Sequence, residues 1–202
     1  MEKKKTDLRV VKTKKLLYTT LIELIKEKSF DEIRVSDICN RALVNRSTFY
    51  SHYEDKYELF SEFVKDIKDN LSKELNKTRQ FKSLKEYYIG LISIFIDHIV
   101  EYKDIYKAIV FNNKNSIAMD IIYDVINDDV KKNLSKMDSK SFSNIPSNII
   151  TRFYLGAVFN VGLEFLNDSE KYSKEKILSY FEILIPDKLN SWYNVFRRKY
   201  EE

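Results

Sequence analysis

Val35-Ser36-Asp37-Ile38-Cys39-Asn40-Arg41-Ala42-Leu43-Val44-Asn45-Arg46-Ser47-Thr48-Phe49-Tyr50-Ser51-His52 is the stretch on which the fold turns. Val35, Ile38, Cys39 and Ala42 follow the i, i+3, i+4, i+7 spacing of one buried helical face. Leu43-Val44-Asn45 then interrupts the pattern. A second short helix follows from Arg46 to about His52, burying Phe49 and, just beyond it, Tyr53. Two short amphipathic helices joined by a three-residue turn have the layout of a helix-turn-helix. Ala42 is small where the helices must cross, and Val44 turns an apolar side chain inward. Asn45, Arg46, Ser47, Thr48, Tyr50, Ser51 and His52 are left near the outward, N-terminal side of the second helix. Such hydrogen-bonding side chains can follow a helix into the major groove. The amides of that helix and Lys56 suit phosphate oxygens. By itself the pattern also fits a short helical hairpin in a bundle.

Working outward, Leu17, Leu21, Leu24 and Ile25 give residues 8–28 an apolar stripe, with Lys12, Lys14, Lys15 and Lys26 between them. Ser29 to Glu32 breaks that helix. Downstream, Asp55 is placed to cap a longer helix whose apolar side is Phe60, Phe63, Val64, Ile67, Leu71 and Leu75. Further helices are predicted over 82–101, 103–112, 115–136, 146–167 and 173–185, with a tail helix at 187–200. Ser135 to Asn144 reads as a polar loop. Pro146 suits a first helical turn and Pro186 a helix end. With 3 Gly and 2 Pro in 202 residues, tight turns are too scarce for a sheet-rich fold. The 14 Tyr and 13 Phe supply enough buried surface to exclude a disordered chain. The expected fold is all-α: an N-terminal three-helix helix-turn-helix domain over 1–56, then a helical bundle over 57–202 for ligand binding and dimerisation.

The lone Cys excludes an intrachain disulfide framework and fits a reducing cytoplasm. Met1 to Asp7 is charged rather than an apolar signal core, and Ile92 to Val100 is broken by Asp97 and His98. A soluble, cytoplasmic chain without membrane contact is expected. His52 and His98 lie on separate segments, so no metal site is expected, and no cofactor is implied. There is no Gly-rich phosphate loop and no Ser/His/Asp arrangement, which argues against an enzyme. Residues 1–56 hold 13 Lys and Arg against 9 Asp and Glu, so the whole formal excess of +4 sits in the first quarter of the chain. That asymmetry suits an anionic partner.

Ile33, Val35, Asp37-Ile38, Ala42, Val44, Thr48-Phe49-Tyr50, His52-Tyr53, Asp55-Lys56 and Leu59 closely resemble the DNA-binding domain of the TetR family of bacterial regulators. The resemblance covers roughly residues 10–60, and Val44 to Tyr50 is most similar to regulators of low-GC Gram-positive bacteria. It implies a homodimeric, ligand-responsive repressor that binds a double-stranded DNA operator and an unknown small-molecule effector. Carried over residue by residue, Tyr50, His52 and Lys56 would hold the DNA backbone. Asn45, Arg46, Ser47, Thr48 and Ser51 would lie nearest base edges, with Arg34 and Ser36 completing the DNA-binding set. Lys3, Lys4, Lys5, Arg9 and Lys12 form either a basic arm or a frayed, solvated end. Two positions depart from the family. Leu43 stands where the turn usually has Gly. Arg34 replaces the usual Thr, removing an N-cap at a cost of ~1 kcal/mol unless it reaches a phosphate.

Gly156 and Gly162 interrupt the apolar helix 147–167, as close approach of another helix would require. Phe153 to Asn167 resembles the dimerisation helix of one branch of the same family. Phe153, Ala157, Val161, Phe165, Phe181 and Leu184 are therefore candidate dimer contacts, with intrachain core as the alternative. Phe95, His98, Tyr102, Tyr106, Phe111 and Tyr123 are candidates to line a ligand pocket, or are ordinary core. A different reading keeps the fold and drops the effector, leaving a helical coregulator that acts through a protein partner.

Overall fold

The computed structural model describes residues 8–78, 84–113, 117–136, 145–167 and 171–185, and every regular element among them is helical. The helices are α1 (Leu8–Glu27), α2 (Val35–Ala42), α3 (Arg46–Tyr50), α4 (Lys56–Thr78), α5 (Leu84–Glu101), α6 (Lys103–Asn113), α7 (Ile117–Lys136), α8 (Ser147–Asn167) and α9 (Lys174–Leu184). A 3-10 turn, Phe30–Glu32, occupies the break after α1. The expected spans fall within a few residues of these. The tail helix at 187–200, most of the loop at 135–144 and Lys3 to Lys5 lie outside the described residues.

The local signals act as anticipated. Asp55 Oδ1 accepts the backbone N–H groups of Tyr57 and Glu58, both at 2.8 Å, and so caps α4. The carbonyl of Pro146 accepts from Ile149 and Ile150, opening α8. Arg34 offers no side-chain acceptor at the start of α2, so one half of the cap is missing and the other is kept. Asp37 reaches back to accept the Arg34 N–H at 3.0 Å, the returning half of a capping box.

The chain divides into two compact units. One runs to Ile67 and also takes in Asp104–Ile122; the other comprises Lys68–Lys103 and the chain from Tyr123 onward. The expected boundary after residue 56 coincides with the start of α4, whose first turns pack into the N-terminal unit. Leu59 and Phe60, in the first turns of α4, are fully buried in the N-terminal unit beside Leu17, Leu21, Ile25, Phe30, Ile38 and Phe49. Burying one such side chain is worth about 1.5–3 kcal/mol, so α4 cannot be cut from this core.

In the second unit α5 packs against α8 and α9. Ile92, Ile96, Phe165, Ile177, Phe181 and Ile185 form its cluster, flanked by Ile89, Tyr154, Val158 and Val161. Gly162 is explained here: a Cβ at that position would come within 2.8 Å of the Ile99 side chain. Gly156 is less constrained, because a Cβ there would meet Tyr123 Oη only at an ordinary 3.7 Å. Among the described residues α8 is also the one helix long and apolar enough to cross a membrane. One side of α8 is nevertheless taken up by the cluster with α5 and α9.

Candidate nucleic-acid interface

The helix-turn-helix is held from beneath. α2 buries Ile38, Cys39 and Ala42, and α3 buries Phe49 completely. The Phe49 ring meets those of Tyr50 and Tyr53 at 5.5 and 5.9 Å. Two ion pairs fix α2 at both ends. Lys28 Nζ donates to Asp37 Oδ2 at 2.7 Å, and Arg41 forks onto both carboxylate oxygens of Glu27 at 2.7 Å each. The Lys28 ammonium, with the Arg34 N–H, holds the Asp37 carboxyl below its ordinary range.

The α2–α3 turn closes through Leu43. Its N–H donates to the Asn40 carbonyl, and the Val44 N–H reaches the Cys39 carbonyl at 3.0 Å, the pattern of a Schellman stop. That stop needs a left-handed residue, and Leu43 supplies it with φ 53° and ψ 39°. A Cβ in this conformation costs about 1–2 kcal/mol. The departure from Gly thus leaves the turn's shape intact and strains the residue.

Asn45, Arg46, Ser47, Tyr50 and Ser51 are exposed, and Thr48 and His52 are half-buried. The Ser51 hydroxyl donates to the Thr48 carbonyl at 2.7 Å. An open cleft of about 400 Å³ is lined by Ile33, Arg34, Val35, Ser36, Arg46, Tyr50, Asp55, Lys56 and Tyr57. It gathers Arg34 and Ser36, separated in sequence from α3, beside Arg46 and Tyr50. The Arg34 guanidinium, the Tyr50 phenol and the Ser36 hydroxyl around one concave surface can take an anionic oxygen such as a phosphate, with Arg46 beside them on α3.

Lys56 is the exception in the expected set. Its ammonium is turned inward, donating to the carbonyls of Phe30 at 2.8 Å, Asp31 at 3.0 Å and Ile33 at 2.8 Å. Burial lowers its pKa. With all three donors engaged and the residue buried, Lys56 lines the cleft with its ammonium turned onto these carbonyls. Spacing could not disclose this, because its acceptors are backbone atoms more than twenty residues away. Asp55 and Tyr57, which the sequence reading did not place at the site, line the same cleft.

The C-terminal candidates separate. Phe153 and Leu184 are 69% and 72% exposed, and Ile149 and Ile183 are similarly uncovered. Ala157 is exposed and Val161 half-buried. Phe165 and Phe181 are instead buried in the cluster with α5, as the intrachain-core alternative expects. The proposed pocket residues do not converge. Phe95 packs edge-on to Phe159 at 5.4 Å, and His98 lies 4.6 Å from Tyr102. Tyr123 sits under the Arg152 guanidinium at 4.7 Å. Tyr106 is buried in the N-terminal unit, and the side chain of Phe111 lies outside the described residues. The cleft described in the second unit, about 360 Å³, is lined by Ile96, Asp97, Val100, Glu101, Phe165 and Lys174, none of them a pocket candidate. On α5, position 95 faces away from 97 and 100, which separates Phe95 from that cleft.

Residues 17–63 match the family model described as bacterial regulatory proteins, tetR family, and residues 88–187 match one described as transcriptional regulator C-terminal region. Over 55 residues the chain is 34% identical to the uncharacterized HTH-type transcriptional regulator YxbF of Bacillus subtilis. That stretch is 27% of this chain and only 14% of YxbF. In fold it is similar to a Listeria innocua protein, with 20% identity, 91% and 94% of the two chains covered and a TM-score of 0.66. It is also similar to Thermus thermophilus FadR, a TetR-family transcriptional repressor in complex with lauroyl-CoA, with 16% identity, 85% and 92% covered and a TM-score of 0.54. The chain belongs to the TetR family of bacterial regulatory proteins.

Proposed function

We propose that this chain is a sequence-specific DNA-binding transcriptional regulator, a cytoplasmic repressor that acts as a homodimer and responds to a small-molecule effector. The observation that carries the reading is the two-sided α3. Phe49 is fully buried beneath it, while Asn45, Arg46, Ser47 and Tyr50 stand exposed beside the Arg34 cleft. Such a helix is fixed from below and free to meet base edges above, with phosphate contacts at its flank. No described feature requires catalysis.

Two reading heads about one helical turn of DNA apart (~34 Å) call for a dimer. The uncovered Phe153, Ile149, Ile183 and Leu184 on α8 and α9 supply an apolar surface for it. A helix–helix partner also accounts for the exposed apolar side of α8 without a bilayer. That Thermus FadR, similar in fold, is in complex with lauroyl-CoA supports a small-molecule effector for this chain too.

The test is titration of the protein onto a duplex from its own upstream intergenic region, beside a scrambled duplex, at several salt concentrations. A preference of roughly 1,000-fold or more is expected for a true operator. Equal weak binding there, and again in a genome-wide fragment selection, would remove the DNA-reading function.

A further inference from the structure

Leu43 carries two penalties at one position. It is the only described non-glycine residue with positive φ, and its side chain is 93% exposed. The Schellman stop after α2 asks for a left-handed backbone and nothing more, so Gly or Asn would satisfy it at lower cost. The leucine side chain returns nothing to the free fold, because it is almost wholly in water. A strained, exposed, branched apolar residue needs a reason outside the fold.

Its neighbours indicate one. Leu43 precedes Asn45 by two residues and Arg46 by three, so its Cα lies within about 7 Å of Asn45 along the chain. It therefore stands at the end of the motif where the exposed polar residues of α3 begin. The apolar feature that B-DNA offers in its major groove is the thymine 5-methyl group, which small apolar side chains read by contact. From these facts we infer that Leu43 is a specificity-determining residue that packs on a thymine methyl at the edge of each half-site. This rests on the reading of α3 as the helix that enters the groove.

The strain gives the experiment opposite signs. An operator is first selected from random duplexes, then titrated with the full chain as wild type, Leu43→Gly, Leu43→Asn and Arg46→Ala, alongside thermal melts. Gly and Asn both accept the left-handed region, so both variants should melt at or above the wild-type temperature. They should bind the operator about 10-fold less tightly, with unchanged affinity for a scrambled duplex. Replacing one thymine per half-site by deoxyuridine removes only the methyl. It should cost the wild type the same factor and Leu43→Gly nothing.

Equal operator affinity of wild type and Leu43→Gly overturns the inference. So does a lower melting temperature of both variants, which would make the side chain structural, or a loss that no thymine-to-deoxyuridine change reproduces. If Arg46→Ala weakens operator binding while Leu43→Gly does not, only this inference falls. If wild type and Arg46→Ala bind operator and scramble alike, the DNA-reading function falls with it.

Discussion

The Lys56 ammonium lies 2.8 Å from the Phe30 carbonyl oxygen and 4.9 Å from the centre of the same residue's ring. One cation thus satisfies the carbonyls of the 3-10 turn and rests on the aromatic side chain that the turn buries. Replacing it by Met would keep the stem and take one hydrogen bond from each of three carbonyls, of which that of Phe30 still accepts the Ile33 N–H. Lys56→Met is expected to lower unfolding stability by about 3 kcal/mol, read as a shift in urea midpoint with unchanged slope. A change below ~0.5 kcal/mol would mean that water replaces the ammonium freely.

Glu62 ties α4 to α1. Burial pushes its carboxyl up, yet the Lys14 ammonium at 2.7 Å and the hydroxyls of Tyr53 and Tyr18 outweigh this and hold it below the ordinary glutamate range. A carboxyl depressed in the folded state stabilises above its ordinary pKa, and that stability is lost as pH falls through the folded value. Urea midpoints of the wild type should therefore fall below about pH 4.5, the ordinary glutamate value. Glu62→Gln should show a shallower acid limb. Parallel limbs would assign the acid loss to other carboxyls.

Arg46 and Arg34 are expected to fail differently. Arg46→Ala should weaken operator binding roughly 10- to 100-fold and leave a scrambled duplex almost unaffected, as loss of a base contact does. Arg34→Ala should weaken both duplexes alike and reduce the salt slope by about one, as loss of a phosphate contact does. Fluorescence anisotropy across a salt series separates the two.

On the C-terminal helices, exposure decides the outcome. Phe153→Asp and Leu184→Asp should yield a folded monomer by sedimentation, with unchanged helicity and much weaker operator binding. Phe165→Ala should instead cost about 3–5 kcal/mol of folding stability, because that ring is buried within its own chain. A Phe153→Asp protein that stays dimeric would place the dimer surface elsewhere.

The helices were legible because their signals are local. The spacing of Ile38, Cys39 and Ala42, the cap at Asp55 and the proline before α8 each act within a turn or two of themselves. The outward polar set on α3 was legible for the same reason. Lys56 was not, since its partners are carbonyls brought close only by tertiary folding. Phe165 and Phe181 share one apolar pattern with Phe153 and Leu184, and spacing alone cannot divide a helix's apolar positions between its own core and a partner. The pocket candidates are ambiguous for a related reason: aromatic side chains mark buried surface generally, and Phe95 and Tyr106 are engaged in packing.

Cys39, the one thiol in the chain, is buried inside α2, where burial also pushes its pKa up. A sulfhydryl reagent can reach it only when the motif opens, so the protein carries its own reporter dye site without engineering. The labelling rate of that single atom measures how often the reading head comes apart. Operator DNA that clamps the motif should slow the reaction, whereas an effector that acts only by respacing two intact heads should leave it unchanged.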